Sequence, residues 1–134
     1  RVVRDAVEGG SAWGFEEGGE VTVLEVIQSA QLRRSTESVL QSDLCESLRA
    51  AGHNVNAEVV LSPTDRIDFL VDGIGIECKL KWSRSKVAAQ LMRYADSPRI
   101  KALILVTTSA ILARGWPDRI NDKPFAVHLV RGLQ

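Results

Sequence analysis

At 134 residues, 45% hydrophobic and 25% charged, the chain has the length and composition of one globular domain. No apolar run approaches the ~18 residues of a membrane-spanning helix, and the opening "RVVRDAVEGG" has no apolar stretch for a signal peptide. Seventeen basic residues balance seventeen acids, which excludes a nucleic-acid binder held by net charge alone.

In chain order, residues 1–20 are rich in Gly and Glu ("EGGSAWGFEEGGE") and are expected to form a mobile arm ahead of a single domain over 21–134. "VTVLEVI", 21–27, predicts a strand from its β-branched content. Thr36 to Ala51 predicts a helix: Ser35 or Thr36 caps it, Glu37 sits in the first turn, and Gly52 ends it. "NVNAEVVLS" predicts a strand closed by "SPTD". "IDFLVDGIGIECKLK", 67–81, predicts two strands joined at Asp72-Gly73, a strong signal for a two-residue hairpin turn. "SRSKVAAQLMRYADS" predicts a second helix, stopped by Pro98. "ALILVTT", 102–108, is apolar throughout and predicts a strand covered on both faces. "SAILARG" predicts a short helix and "FAVHLV", 125–130, a last strand. The expected architecture is an α/β/α sandwich. Its central mixed sheet begins as an antiparallel meander, continues by crossovers, and is flanked by helices.

Cys45 and Cys78 are too few for a disulfide framework and form no Cys/His cluster, so a reducing, cytoplasmic setting is expected. Cys78 reads as a small core residue. Arg1 stands where an initiator Met would, so the chain is expected to be trimmed or excerpted from a longer one.

The hairpin carries charge where a core strand gains nothing from it. With Asp72-Gly73 as the turn, Val71 faces Ile74, Leu70 faces Gly75, Phe69 faces Ile76 and Asp68 faces Glu77. Directly opposed side chains share a face about 4.5–5.5 Å apart, so the two carboxylates repel unless something positive sits between them. Lys79 falls on the same face, two residues past Glu77. The opposite face carries Phe69, Val71, Ile74, Ile76, Cys78 and Leu80. Converging carboxylates suit Mg²⁺ or Mn²⁺, and a neighbouring lysine can neutralise charge developing on a phosphate. The motif alone carries little weight: seventeen acids and five lysines give about 0.6 acid-x-Lys matches by chance. On these residues a solvated hairpin, with Lys79 bridging two acids, fits as well as a metal site.

Two helices bear on the choice. Winding the first at 100° per residue puts Leu44, Leu48 and Ala51 within about 40° of Glu37, with Asp43 and Glu46 opposite. Glu37 thus starts the core-facing stripe, although a first-turn acid also complements the helix dipole. On the second helix Lys86, Gln90 and Tyr94 follow at i+4 steps, beside Val87 and Leu91 on the core side. From Lys79 to Lys101 there are seven basic residues and one acid, Asp96, a stripe that reads either as a solvated face or as phosphate-contacting.

Taken together, Glu37, Asp68, "IECK" with Glu77 and Lys79, and "QLMRY" resemble the PD-(D/E)XK nuclease superfamily. The Gln-x-x-x-Tyr of "QLMRY" looks like the motif of the RecB-like and Holliday-junction-resolvase-like branch. The resemblance covers roughly residues 36–108, with Ile67 standing where the motif's name has Pro. It implies a restriction-endonuclease-like fold and a DNA endonuclease using Mg²⁺, with Mn²⁺ as a substitute. The metal would be held by Asp68, Glu77 and the Cys78 carbonyl, with Glu37 as an outer helper. Lys79 would position the attacking water. Gln90 and Tyr94 would brace the site or touch DNA, and Lys81, Arg84, Lys86 and Arg93 would contact it. A homodimer is a general expectation for enzymes that cut both strands, and the chain could be phage- or virus-encoded. Two other readings stand beside this one: a catalytically inactive nuclease-fold domain that binds DNA or a protein, and an unrelated α/β interaction module.

Overall fold

The computed structural model describes Trp13 and residues 22–132. Its first helix corrects an expectation. Residues 21–27 read as a strand, but Val23–Ser29 is helical (α1). Thr22 and Glu25 form a reciprocal capping box: Glu25 N–H donates to Thr22 Oγ1 at 3.1 Å, and Thr22 N–H donates to Glu25 Oε1 at 3.0 Å. These bonds satisfy two donors that the helix start and its cap would otherwise leave open. Val23, Leu24, Val26 and Ile27 are all buried, a spacing that fits one helix face and that a strand would split between two. Of the arm expected over residues 1–20, all but Trp13 lies outside the described residues. Trp13 itself is docked: it is 2% exposed, and its carbonyl accepts the Val23 N–H at 2.8 Å.

Helix α2, Glu37–Ala50, begins where Thr36 Oγ1 accepts the Val39 N–H at 3.1 Å. It ends at Ala51 and Gly52, whose φ of +96° a glycine adopts without steric cost. Leu40, Leu44 and Leu48 face the sheet. Two helix-wheel placements are corrected. Ala51 is exposed at the C-cap, because the chain leaves the helix there. Asp43 is buried, because Arg33 reaches it from the loop between α1 and α2. Asp43 accepts the Arg33 N–H and Nε–H at 2.8 and 3.0 Å, and Arg33 Nη2 lies 2.7 Å from its Oδ1. Those bonds hold the Asp43 carboxyl below its ordinary pKa.

Six strands form one mixed sheet in the order β1-β2-β3-β4-β6-β5. They are β1 Asn56–Ser62, β2 Asp65–Val71, β3 Ile74–Lys79, β4 Ala102–Thr107, β5 Arg119–Ile120 and β6 Lys123–Leu129. The first three form an antiparallel meander, β3, β4 and β6 run parallel, and β5 pairs antiparallel with β6. The short β5 adds to the expected set. It turns into β6 through Asn121 and Asp122, both at positive φ (49° and 65°), where these two residue types are tolerated. Helix α3, Arg84–Ala95, capped by Ser83, crosses from β3 to β4, and α4, Ala110–Ala113, follows β4.

Both faces of the sheet are covered. Phe69, Val71, Ile74, Ile76 and Cys78 pack with α1 and α2 residues in one core, and Leu80 lies partly buried against it. Ile67, Leu70, Leu103, Leu105 and Phe125 pack with Val87, Leu91 and Tyr94 of α3 and Leu112 of α4 in the other. Lys79, the last residue of β3, lies beside Thr107 at the carboxyl end of β4, where parallel sheets leave a crevice.

Candidate active site

The turn at Asp72 (φ 50°) and Gly73 (φ 85°) sets the β2–β3 register as Val71–Ile74, Leu70–Gly75 and Phe69–Ile76. Past that last pair, side-chain oxygens replace the backbone ladder. Asp68 N–H donates to Glu77 Oε1 at 3.1 Å, and Cys78 N–H donates to Asp68 Oδ2 at 2.8 Å. Each carboxylate is thereby tied to the main chain of the other strand. Lys79 Nζ lies 3.2 Å from Glu77 Oε2, and both side chains are almost wholly buried (6% and 4% exposed). The Tyr94 hydroxyl sits 3.1 Å from the Arg66 carbonyl and 3.4 Å from Glu77 Oε2.

Burial of these acids raises their pKa values. Glu77 is pushed up to about 7, first by burial and then by the Asp68 carboxylate, with Lys79 working against both. Asp68 is also raised, chiefly by burial and further by the charge of Glu37. The Cys78 N–H, the Gln41 side chain and Lys79 act in the opposite sense. The Tyr94 phenol is driven up by burial and by the nearby Glu77 and Asp68 charges. Three carboxylates (Glu37, Asp68, Glu77) therefore act on a neighbourhood with one close ammonium, Lys79. That excess of negative charge in a poorly solvated place is the setting in which a divalent cation binds oxygen ligands. Among the described residues no three His, Cys, Asp or Glu side chains converge as a complete metal cage. Asp68 and Glu77 offer two hard carboxylates, and such a pair leaves room for the waters that Mg²⁺ retains.

Two residues beyond the expected set join this cluster. Gln41, one helical turn beyond Glu37, lies close enough to Asp68 to favour its ionised carboxylate. The Trp82 ring faces the Lys79 ammonium, 3.8 Å from ring centroid to Nζ, and its Nε1–H donates to Glu37 Oε1 at 3.4 Å. The sequence signals were an i+4 step from Glu37 and a lone Trp in the basic run after β3. An open groove of about 800 Å³ between α2 and strands β1 and β2 leads to Asp68, with Ser38, Gln41, Ser42 and Cys45 on its helix side.

The remaining expected residues divide. Lys81 and Lys86 are exposed. Arg84 stacks on Trp116, 4.3 Å from its ring centroid. Arg93 is held in an ion pair with Asp65 at 3.0 Å. Gln90 is half-buried on α3, outside the hydrogen bonds that join Asp68, Glu77, Lys79 and Tyr94. Tyr94 is fully buried, which corrects its placement among DNA-contacting residues: its hydroxyl points at Glu77 from the core of α3.

Fold and site define a mixed α/β domain with a buried carboxylate–lysine cluster at the carboxyl end of β3. No protein-family model, no curated protein and no solved structure matches the chain. No helix among the described residues is long and apolar enough to cross a membrane.

Proposed function

We propose that this chain is a metal-dependent DNA endonuclease of the PD-(D/E)XK type, with a restriction-endonuclease-like fold. One observation carries the reading. Asp68 and Glu77 are locked to each other's backbones beside the nearly buried Lys79, at an energetic cost that a binding surface would have no reason to bear. The order of the parts supports it: Glu37 opens α2, Asp68 lies on β2, Glu77 and Lys79 on β3, and α3 follows.

In this reading Asp68 and Glu77, with the Cys78 carbonyl, hold Mg²⁺ or Mn²⁺. When bound, the ion supplies Lewis-acid polarisation of a phosphodiester oxygen and neutralises its charge. Lys79 presents Nζ toward the reacting phosphate, where its attraction grows as negative charge develops. Glu77 Oε2 orients that ammonium, and Tyr94 fixes Glu77 in turn. Lys81, Arg84 and Lys86 supply salt-sensitive contacts to the DNA backbone. The partner is DNA in an intracellular setting, and a homodimer would serve to cut both strands. A domain that binds without cutting leaves the buried acid pair unexplained.

Plasmid cleavage in Mg²⁺, Mn²⁺ or EDTA tests the proposal. Wild-type protein should cut with either metal and not in EDTA. Asp68→Ala and Glu77→Ala should lose cleavage while remaining folded by circular dichroism. Near-wild-type cutting by either variant would show that the chemistry lies elsewhere.

A further inference from the structure

Trp82 is 47% exposed, among the exposed polar residues Lys81, Ser83 and Arg84. Its indole covers the ammonium of Lys79, a residue itself only 5% exposed. The ammonium of Lys79 occupies one ring face, and nearly half of Trp82 remains open to solvent. The ring is tethered twice, by the ammonium beneath it and by the bond from Nε1–H to Glu37. A stacking partner would meet a surface already oriented, at little entropic cost. Cations flank it: Lys81 immediately before, then Arg84 spread on Trp116, then Lys86. Basic side chains for the backbone and an open aromatic face for a base are the physical ingredients of single-strand binding. A base inside a continuous duplex has both faces already stacked.

We infer that Trp82 stacks an unpaired nucleobase beside the site, so that the substrate is DNA with a single-stranded segment at the cut. The inference rests on the nuclease reading and adds the substrate class to it. Binding is read by anisotropy of labelled oligothymidylate and of a blunt duplex of equal length, on an Asp68→Asn background to suppress cutting. Trp82→Leu should weaken oligothymidylate binding about tenfold, the scale of one base–aromatic stack, and leave duplex binding within about twofold. Trp82→Phe, which keeps an aromatic face, should retain most of the affinity. Equal losses on both DNA forms would assign Trp82 to holding Lys79 alone and overturn the stacking, as would no loss on either. Wild-type cleavage of plasmid, single-stranded and branched DNA in Mg²⁺ decides the underlying reading separately. If it cuts and Trp82→Leu shows no selective loss, only the stacking falls; if it cuts no form of DNA, both fall.

Discussion

Glu77 is the residue at which burial, charge and hydrogen bonding meet. Its carboxyl titrates near pH 7 in the folded chain, against an ordinary value of 4.5. Between those values the folded state keeps a proton that the unfolded chain has released, so stability must fall as pH rises. Below 4.5 both states are protonated and the effect vanishes; above 7 it is complete, at about 3 kcal/mol. The raised Asp68 adds to the same trend. Urea unfolding in EDTA should therefore show a less stable protein at about pH 8 than at about pH 5, and Glu77→Gln should flatten the difference. Identical slopes for wild type and variant would mean that Glu77 is not the titrating group. The turn at Asp72-Gly73 alone predicts Asp68 opposite Glu77; the ladder instead ends at Phe69–Ile76, and side-chain bonds to the backbone bring the two acids together. The protonation of Glu77 was not legible in the sequence, because it depends on how much solvent the rest of the fold removes.

Among the elements, β3 shows how closely the hairpin is packed. Gly75 sits between Ile67, Ile100 and Leu103: a Cβ built there would lie 2.5 Å from Ile67 Cδ1 and 2.8 Å from Ile100 Cδ1. Gly75→Ala should consequently cost about 1–3 kcal/mol by overpacking, read as a lower urea midpoint with an unchanged slope. A midpoint equal to wild type would mean that these side chains give way freely. Helices α2 and α3 were legible because their stop and start signals are local: Thr36, Gly52 and Ser83 act within a few residues of themselves. For α1, β-branched content pointed to a strand, while the Thr22–Glu25 box and the burial of all four apolar residues decided for a helix. The sequence carries the box as well, with Thr22 three residues ahead of Glu25.

For the molecule as a whole, zero net charge conceals a division between an acid-rich crevice and the basic run from Lys79 to Lys101. A divalent cation that enters the crevice binds the folded chain and not the unfolded one, so it must stabilise the fold. At about a hundredfold excess over its Kd, Mg²⁺ should add about 3 kcal/mol, or roughly 10 °C in Tm for a domain of this size. The shift should be larger above pH 7, where Glu77 has lost its proton, and absent in Asp68→Ala. Scanning calorimetry with Mg²⁺ and with EDTA reads it directly, and an equal shift in Asp68→Ala would place the cation elsewhere.

By itself the sequence determined the α/β class, most element positions, the hairpin register and the adjacency of Asp68, Glu77 and Lys79. These follow from periodicity, caps and turn stereochemistry, which act over a few residues. Tertiary structure alone decided that Arg33 draws Asp43 inward, that Tyr94 reaches Glu77 and that Trp82 joins Lys79 to Glu37. Each of those contacts joins separate segments of the chain, and the shifted acids sum burial and charge from several of them. Local stereochemistry carries no record of such sums, so they exist only once the layers have packed.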